Sequence, residues 1–126
     1  MESAASHHSI PGQRTVFLAV MLRMIVTLLF IAAGYMNIMI PVHRADLIAW
    51  GYPDGSHLVI GGSEWLSAAM LWHIRSRRMG YVAMAAILAG AVITLLVMGL
   101  TGRLVPPAIY AVALAFAVVA DRKNNI

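Results

Sequence analysis

No cysteine occurs among the 126 residues, so disulfides, thiolate nucleophiles, iron–sulfur ligation and thiol exchange carried by this chain are excluded. Charge is almost as scarce: Asp, Glu, Lys and Arg make up 11% of the residues, against 61% for the hydrophobic types. A soluble domain needs far more charge to cover its surface. The solvent expected around this chain is therefore lipid. No phosphate loop, metal-binding box or nucleophile triad can be read along it, so no catalytic residue and no metal site is nominated. The formal net charge of +4 is not read as a nucleic-acid signal, because the basic residues gather at the ends of apolar runs, where membrane orientation explains them.

Four apolar runs dominate what is there: Val16 to Ile40, Leu58 to Ile74, Met79 to Leu100 and Leu104 to Ala120. Each fits the roughly 17–25 residues with which a helix crosses the hydrocarbon core. None alternates apolar and polar residues as a barrel strand would. The expected fold is thus an all-α membrane protein, a four-transmembrane-helix bundle. Its domain runs over residues 15–121, between a disordered polar tail (1–14) and a short tail (122–126). Between the first two runs, "PVHRADLIAWGYPDGSH" carries Pro41, Gly51, Pro53 and Gly55 and reads as a loop. "RSRRMG" and "TGRLVPP" read as tight turns.

Basic residues set the orientation. Arg14, Arg75, Arg77, Arg78, Arg122 and Lys123 fall on one side, and Arg44 and Arg103 on the other. Six against two places both termini in the cytoplasm, in a bacterial inner membrane. Arg23 interrupts the first run, which argues for a retained helix over a cleaved signal peptide. His7 and His8 lie adjacent in the polar tail and read as incidental.

Two charges remain inside the runs, Arg23 and Glu64. An unpaired charge at mid-bilayer costs at least about 2.5–3.5 kcal/mol, and these two sit on neighbouring helices of opposite direction. At 1.5 Å per residue, Arg23 lies about 10 Å and Glu64 about 15 Å from the same face, an offset that a guanidinium can cover. They are expected to pair. Around Arg23 a single helical stripe collects Thr27, Phe30, Gly34 and Asn37. Thr94 and Tyr110 join these as further expected lining of a polar core. Gly34, Gly61, Ala68 and Gly90 are small residues that would let helices approach. The pair would either fix helix register alone or line a pocket for a quinone-like ligand or a proton relay. His43, His57 and His73 sit in loops or at a span end, unsuited to haem ligation between helices. Trp50, Tyr52, Trp72, Tyr81 and Tyr110 read as an interfacial aromatic belt.

With these residues in place, the chain resembles the DoxX-like family of small four-helix bacterial membrane proteins. The resemblance rests on "RMIVTLLFIAAGYMN", "WGYPDG", "IGGSEWLSAAMLW" and "LAGAVITLLVMG", in order and at matching spacing. It departs at Asn37, where the family carries Lys, and at Leu95, where a His is common. The resemblance implies an accessory or anchor subunit of a quinone-linked membrane redox system, with a quinone as ligand and a redox enzyme or a second copy of the chain as partner. Lacking a cofactor motif, the chain is not expected to be catalytic on its own. A small multidrug-type transporter and a non-catalytic scaffold or ligand-binding protein are the other readings. The transporter is disfavoured by the position of Glu64 beside an Arg and by the strong charge bias.

Overall fold

The computed structural model of the chain describes residues 11–123. Among them the secondary structure is helical throughout: α1 (Pro11–Met39), α2 (Pro41–Ala49), α3 (Ser56–Met70), α4 (Arg77–Val97), a 3-10 turn (Thr101–Arg103) and α5 (Val105–Lys123). Three of these, α1, α4 and α5, are long and apolar enough to cross a membrane. At 1.5 Å per residue α3 reaches only about 22 Å, short of the roughly 30 Å of a hydrocarbon core.

The elements differ from the sequence expectation at their ends. The polar tail expected through residue 14 is already helical from Pro11. Residues 1–10, with His7 and His8, and residues 124–126 lie outside the described residues. Arg122 and Lys123, expected in a tail, complete the last turn of α5, where cations complement the helix dipole. Pro41 does not turn the chain but opens α2; its fixed φ and missing N–H suit a first helical turn. Gly51 and Gly55, at φ of 95° and 96°, then reverse the chain into α3 in a conformation that costs glycine nothing. The second apolar run, expected to reach Ile74, leaves the helix after Met70.

α1 packs against α3 and α5, α3 against α4, and α4 against α5, so the four longer helices close a ring. One end of the ring, the base, holds the end of α3, the start of α4 and the end of α5. The other end, the roof, is covered by α2, which packs on α1 and α3. Val26, Phe30, Leu71, Met84, Leu114 and Ala117 form the buried core, while Phe17, Leu28, Val82, Val97 and Phe116 face outward. Arg23, Thr27, Glu64, Ser67 and Asp121 are buried. Polar groups inside and large apolar groups outside is the distribution that lipid as solvent requires.

Since lipid gives helices no hydrophobic reason to associate, close packing must do it. A Cβ added at Gly34 would stand 2.9 Å from the Gly61 carbonyl oxygen, and one at Gly61 2.9 Å from that of Gly34. The two glycines therefore set the α1–α3 separation. Ala68 is buried in the core beside them. Gly90 differs from its expected packing role, because a Cβ there would meet nothing within 4 Å.

Candidate functional site

The polar residues sort into two assemblies at opposite ends of the ring. At the base, Arg23 Nη2 donates to Asp121 Oδ1 at 2.9 Å, with both side chains almost wholly buried. The Tyr81 hydroxyl donates to the other oxygen of Asp121. The guanidinium of Arg23 lies 5.2 Å from the centre of the Trp72 ring, within cation–π range. The Trp72 indole donates to Thr27 Oγ1 at 2.8 Å, and that hydroxyl donates to the Arg23 carbonyl at 2.7 Å. Arg77 is buried as well, its Nε donating to the Leu71 carbonyl at 2.7 Å. Arg23 Nε and Arg77 Nη1 have no hydrogen-bond partner among the described residues.

This corrects the expected Arg23–Glu64 pair. The approach of Gly34 to Gly61 and the bond from Trp72 to Thr27 fix the α1–α3 register. In that register Arg23 faces the chain beyond Trp72, whereas Glu64 reaches Asn37. Asn37 is fourteen residues further along α1, about 20 Å from Arg23, a distance no guanidinium spans. The sequence depths also assumed a straight second helix to Ile74, which Met70 ends.

Towards the roof lies a cavity of about 880 Å³, lined by α1, α2, α3, α4 and α5. That volume is within the range of small-molecule sites, roughly 300–1,000 Å³. Asn37, Glu64, Thr94 and Tyr110 line it; Arg23 and Thr27, expected with them, do not. Glu64 is buried, and its Oε1 accepts a hydrogen bond from Asn37 Nδ2 at 2.7 Å. Asn37 Nδ2 also reaches the Ala33 carbonyl at 3.1 Å. The buried carboxylate is thus met by an amide and not by a cation. Tyr110 tilts against Phe30, ring centres 5.7 Å apart, and its hydroxyl makes no hydrogen bond among the described residues. It is a donor facing the cavity with no partner of its own.

The roof is laced together above these groups. Thr94 donates its hydroxyl proton to the Gly90 carbonyl at 2.8 Å, so in its contact with Tyr52 the phenol donates. Arg103 reaches Asp46 on α2 at 3.2 Å and lies 6.0 Å from the Trp50 ring. Just outside, Arg44 forks onto Asp54 with bonds of 3.0 and 2.8 Å. The Arg44 hydrogen bonds hold the exposed Asp54 carboxyl below the usual carboxylate range.

Several of these roles escaped the sequence reading. Trp72 and Tyr81, assigned to an interfacial belt, take part in the base cluster, while Tyr110, read both in that belt and as polar lining, lines the cavity. His43, read in a loop, lies on α2 and lines the cavity. Asp121, one residue past the fourth apolar run, was passed over. Its signal was present, since Tyr110, Ala113, Ala117 and Asp121 follow steps of 3, 4 and 4 on one helical face. Among the described residues no group of three or more potential metal ligands occurs. No family model, curated protein or solved structure matches this chain, so its functional reading rests on the cavity under α2 and on the groups that line it.

Proposed function

We propose that the chain is a four-span membrane protein that holds a quinone-type ring in the cavity under α2. Under this reading it serves a membrane redox enzyme as an accessory or anchor subunit. The observation that carries the proposal is the lining itself: a roomy, mostly apolar cavity into which a buried carboxylate, an amide and an unpartnered phenol converge at Glu64, Asn37 and Tyr110. A ring with carbonyl oxygens needs a donor, which Tyr110 supplies, while Asn37 holds Glu64 in place and Trp50 and Tyr52 offer flat apolar surface to the ring. Ionisable residues held inside a membrane mark functional sites by default. The similarity of four short segments to the DoxX-like family supports the same reading, and the six-to-two distribution of basic residues supports both termini lying on the cytoplasmic side of a bacterial inner membrane.

The test is direct. The protein purified in mild detergent should carry extractable quinone detectable by mass spectrometry, and an added benzoquinone should bind the wild type at least about tenfold more tightly than Glu64→Gln or Tyr110→Phe, a difference of about 1.4 kcal/mol. Protein that neither carries quinone nor binds the added one would refute the ligand. A pull-down from native membranes that returns no redox enzyme would refute the accessory role. A role as scaffold alone has one observation in its favour: the base cluster fixes the helices without touching the cavity.

A further inference from the structure

α3 and α4 do not run at constant separation. Near the base, a Cβ added at Gly80 would stand 3.0 Å from the Ser67 carbonyl oxygen, so the two helices touch backbone to backbone. Further along α4, Ile87, Ala91 and Thr94 repeat Gly80's face at helical spacing, and there they line the cavity opposite Ile60, Ser63 and Glu64 of α3. The helices splay towards the roof, and the cavity occupies the gap.

The side of the cavity that faces outward can be read from which lining residues are also exposed. On α4 these are Ala86 and Gly90, and on α3 Val59, which is 69% exposed; the other exposed lining residues, Met36, Val42, Tyr52, Gly102, Arg103 and Pro106, lie within about a turn of the roof. On α4, Gly90 lies on the flank turned towards α3, because Gly80 meets Ser67 of α3 while Tyr81 meets Asp121 of α5, and Ala86, a turn nearer the base, faces outward. On α3, Val59 lies on the flank away from Gly61, which meets α1. The mouth is therefore a window between α3 and α4, edged by small or aliphatic side chains. The polar groups Asn37, Glu64 and Tyr110 sit deeper. Towards water the way is crossed by α2 and by the Tyr52–Thr94 and Asp46–Arg103 contacts.

We propose that the ligand enters sideways from the lipid through this window and carries one long apolar tail, which stays in the window between Val59 and Gly90 while the ring reaches Glu64 and Tyr110. The inference rests on the ring-binding reading above and adds to it the ligand's class, a membrane-dissolved molecule, and the residue that admits its tail, Gly90. With hydrogen alone at position 90, the window stays open; a large side chain there projects into space that no protein atom fills.

The experiment compares a dimethoxy-methyl-benzoquinone with and without a decyl chain, bound to the full chain in detergent and read by native mass spectrometry. The variants are Gly90→Phe and, on the opposite edge, Val59→Trp. Both substitutions point into open space, and thermal unfolding verifies that each variant folds. The expected result is at least about a tenfold loss for the decyl compound with the tail-free ring held within about twofold. Equal loss of both compounds, or no loss of either, in both variants would overturn the window while leaving the ring site standing. Failure of the wild type to bind either compound would overturn the ring site and the window with it. Tight binding of the tail-free ring with no gain from the decyl chain would overturn the tail.

Discussion

The base and the roof of this bundle use polar residues in opposite ways. At the base, an arginine, an aspartate, a tyrosine, a tryptophan and a threonine bond mainly to one another, and the open apolar groove of about 450 Å³ edged by Thr27 and Trp72 includes neither Arg23, Tyr81 nor Asp121. Towards the roof, a glutamate, an asparagine and a tyrosine face a space of about 880 Å³, and the tyrosine hydroxyl has no partner. The glycine contacts follow the helix pairs instead: Gly34 and Gly61 bring α1 against α3 beside the cavity, Gly80 brings α4 against α3 at the base, and a Cβ at Gly90 would meet nothing within 4 Å. Polar groups that satisfy each other fix a register; polar groups that face space are available to a ligand. The difference assigns stability to one end and binding to the other.

That assignment can be broken most forcefully at the base. Replacing Asp121 with Asn leaves two buried arginines without a carboxylate, and removing one member of a buried pair costs about 3–5 kcal/mol. Asp121→Asn and Arg23→Leu should each lower the thermal midpoint in detergent by far more than any cavity substitution. Because Arg23→Leu with Asp121→Asn removes both charges, it should be less damaging than the sum of the singles. Additive losses in that cycle would show that the pair is not coupled. Expected quinone binding by whatever protein remains folded is unchanged.

The next effect belongs to the seam between α1 and α3. Any side chain at Gly34 or Gly61, alanine included, must push the backbones apart, and such overpacking costs typically about 1–3 kcal/mol. Gly61→Val should therefore lower the midpoint clearly, whereas Gly90→Ala should leave it unchanged or raise it, since alanine favours helix over glycine by about 0.8–1.0 kcal/mol. Equal destabilisation by the two changes would erase the distinction between the touching and the parted regions.

Within the cavity, the effects on stability shrink and the effects on binding grow. Glu64→Gln keeps an oxygen to accept from Asn37 and should alter the midpoint little. Asn37→Ala removes the donor from a buried carboxylate, a loss of about 1–3 kcal/mol. Thermal unfolding of the two variants side by side measures whether Glu64 depends on the amide. A larger loss in Glu64→Gln than in Asn37→Ala would mean that Glu64 serves the fold and not a ligand.

The stripe of Arg23, Thr27, Phe30 and Gly34 was legible in the sequence because a 3.6-residue period brings them to one face, and all four are buried. The approach at Gly34 and Gly61 was legible for the same reason. The partner of Glu64 was not. Choosing between Arg23 and Asn37 depends on the register of α1 against α3, and that register hangs on where α3 ends. The turns at residues 71–76 carry Leu, Trp and Ile, which read as a continuing apolar run. α2 was hidden by its neighbours, since Pro41, Gly51 and Pro53 all signal turns although the nine residues from Pro41 form a helix. The cavity could not be read at all, because it arises from a splay between α3 and α4 that no single helix encodes.

The smallest expected effect lies outside the bundle, at Arg44 and Asp54. Both side chains are exposed, so solvent screens the pair and it adds little to stability. Its effect on titration is nevertheless measurable, because the hydrogen bonds from Arg44 favour the charged carboxylate. A folded value below the unfolded one means that the contribution is present above the ordinary Asp value of about 3.9 and is lost as pH falls through the folded value. The Asp54 carboxyl, followed by carbon NMR, should accordingly titrate below that ordinary value in the wild type and move up towards it in Arg44→Ala. The thermal midpoint at neutral pH should barely change. An unchanged titration would mean that the fork is not formed in solution and that the loop between α2 and α3 is held by its other contacts, Tyr52 with Thr94 and Trp50 with Arg103.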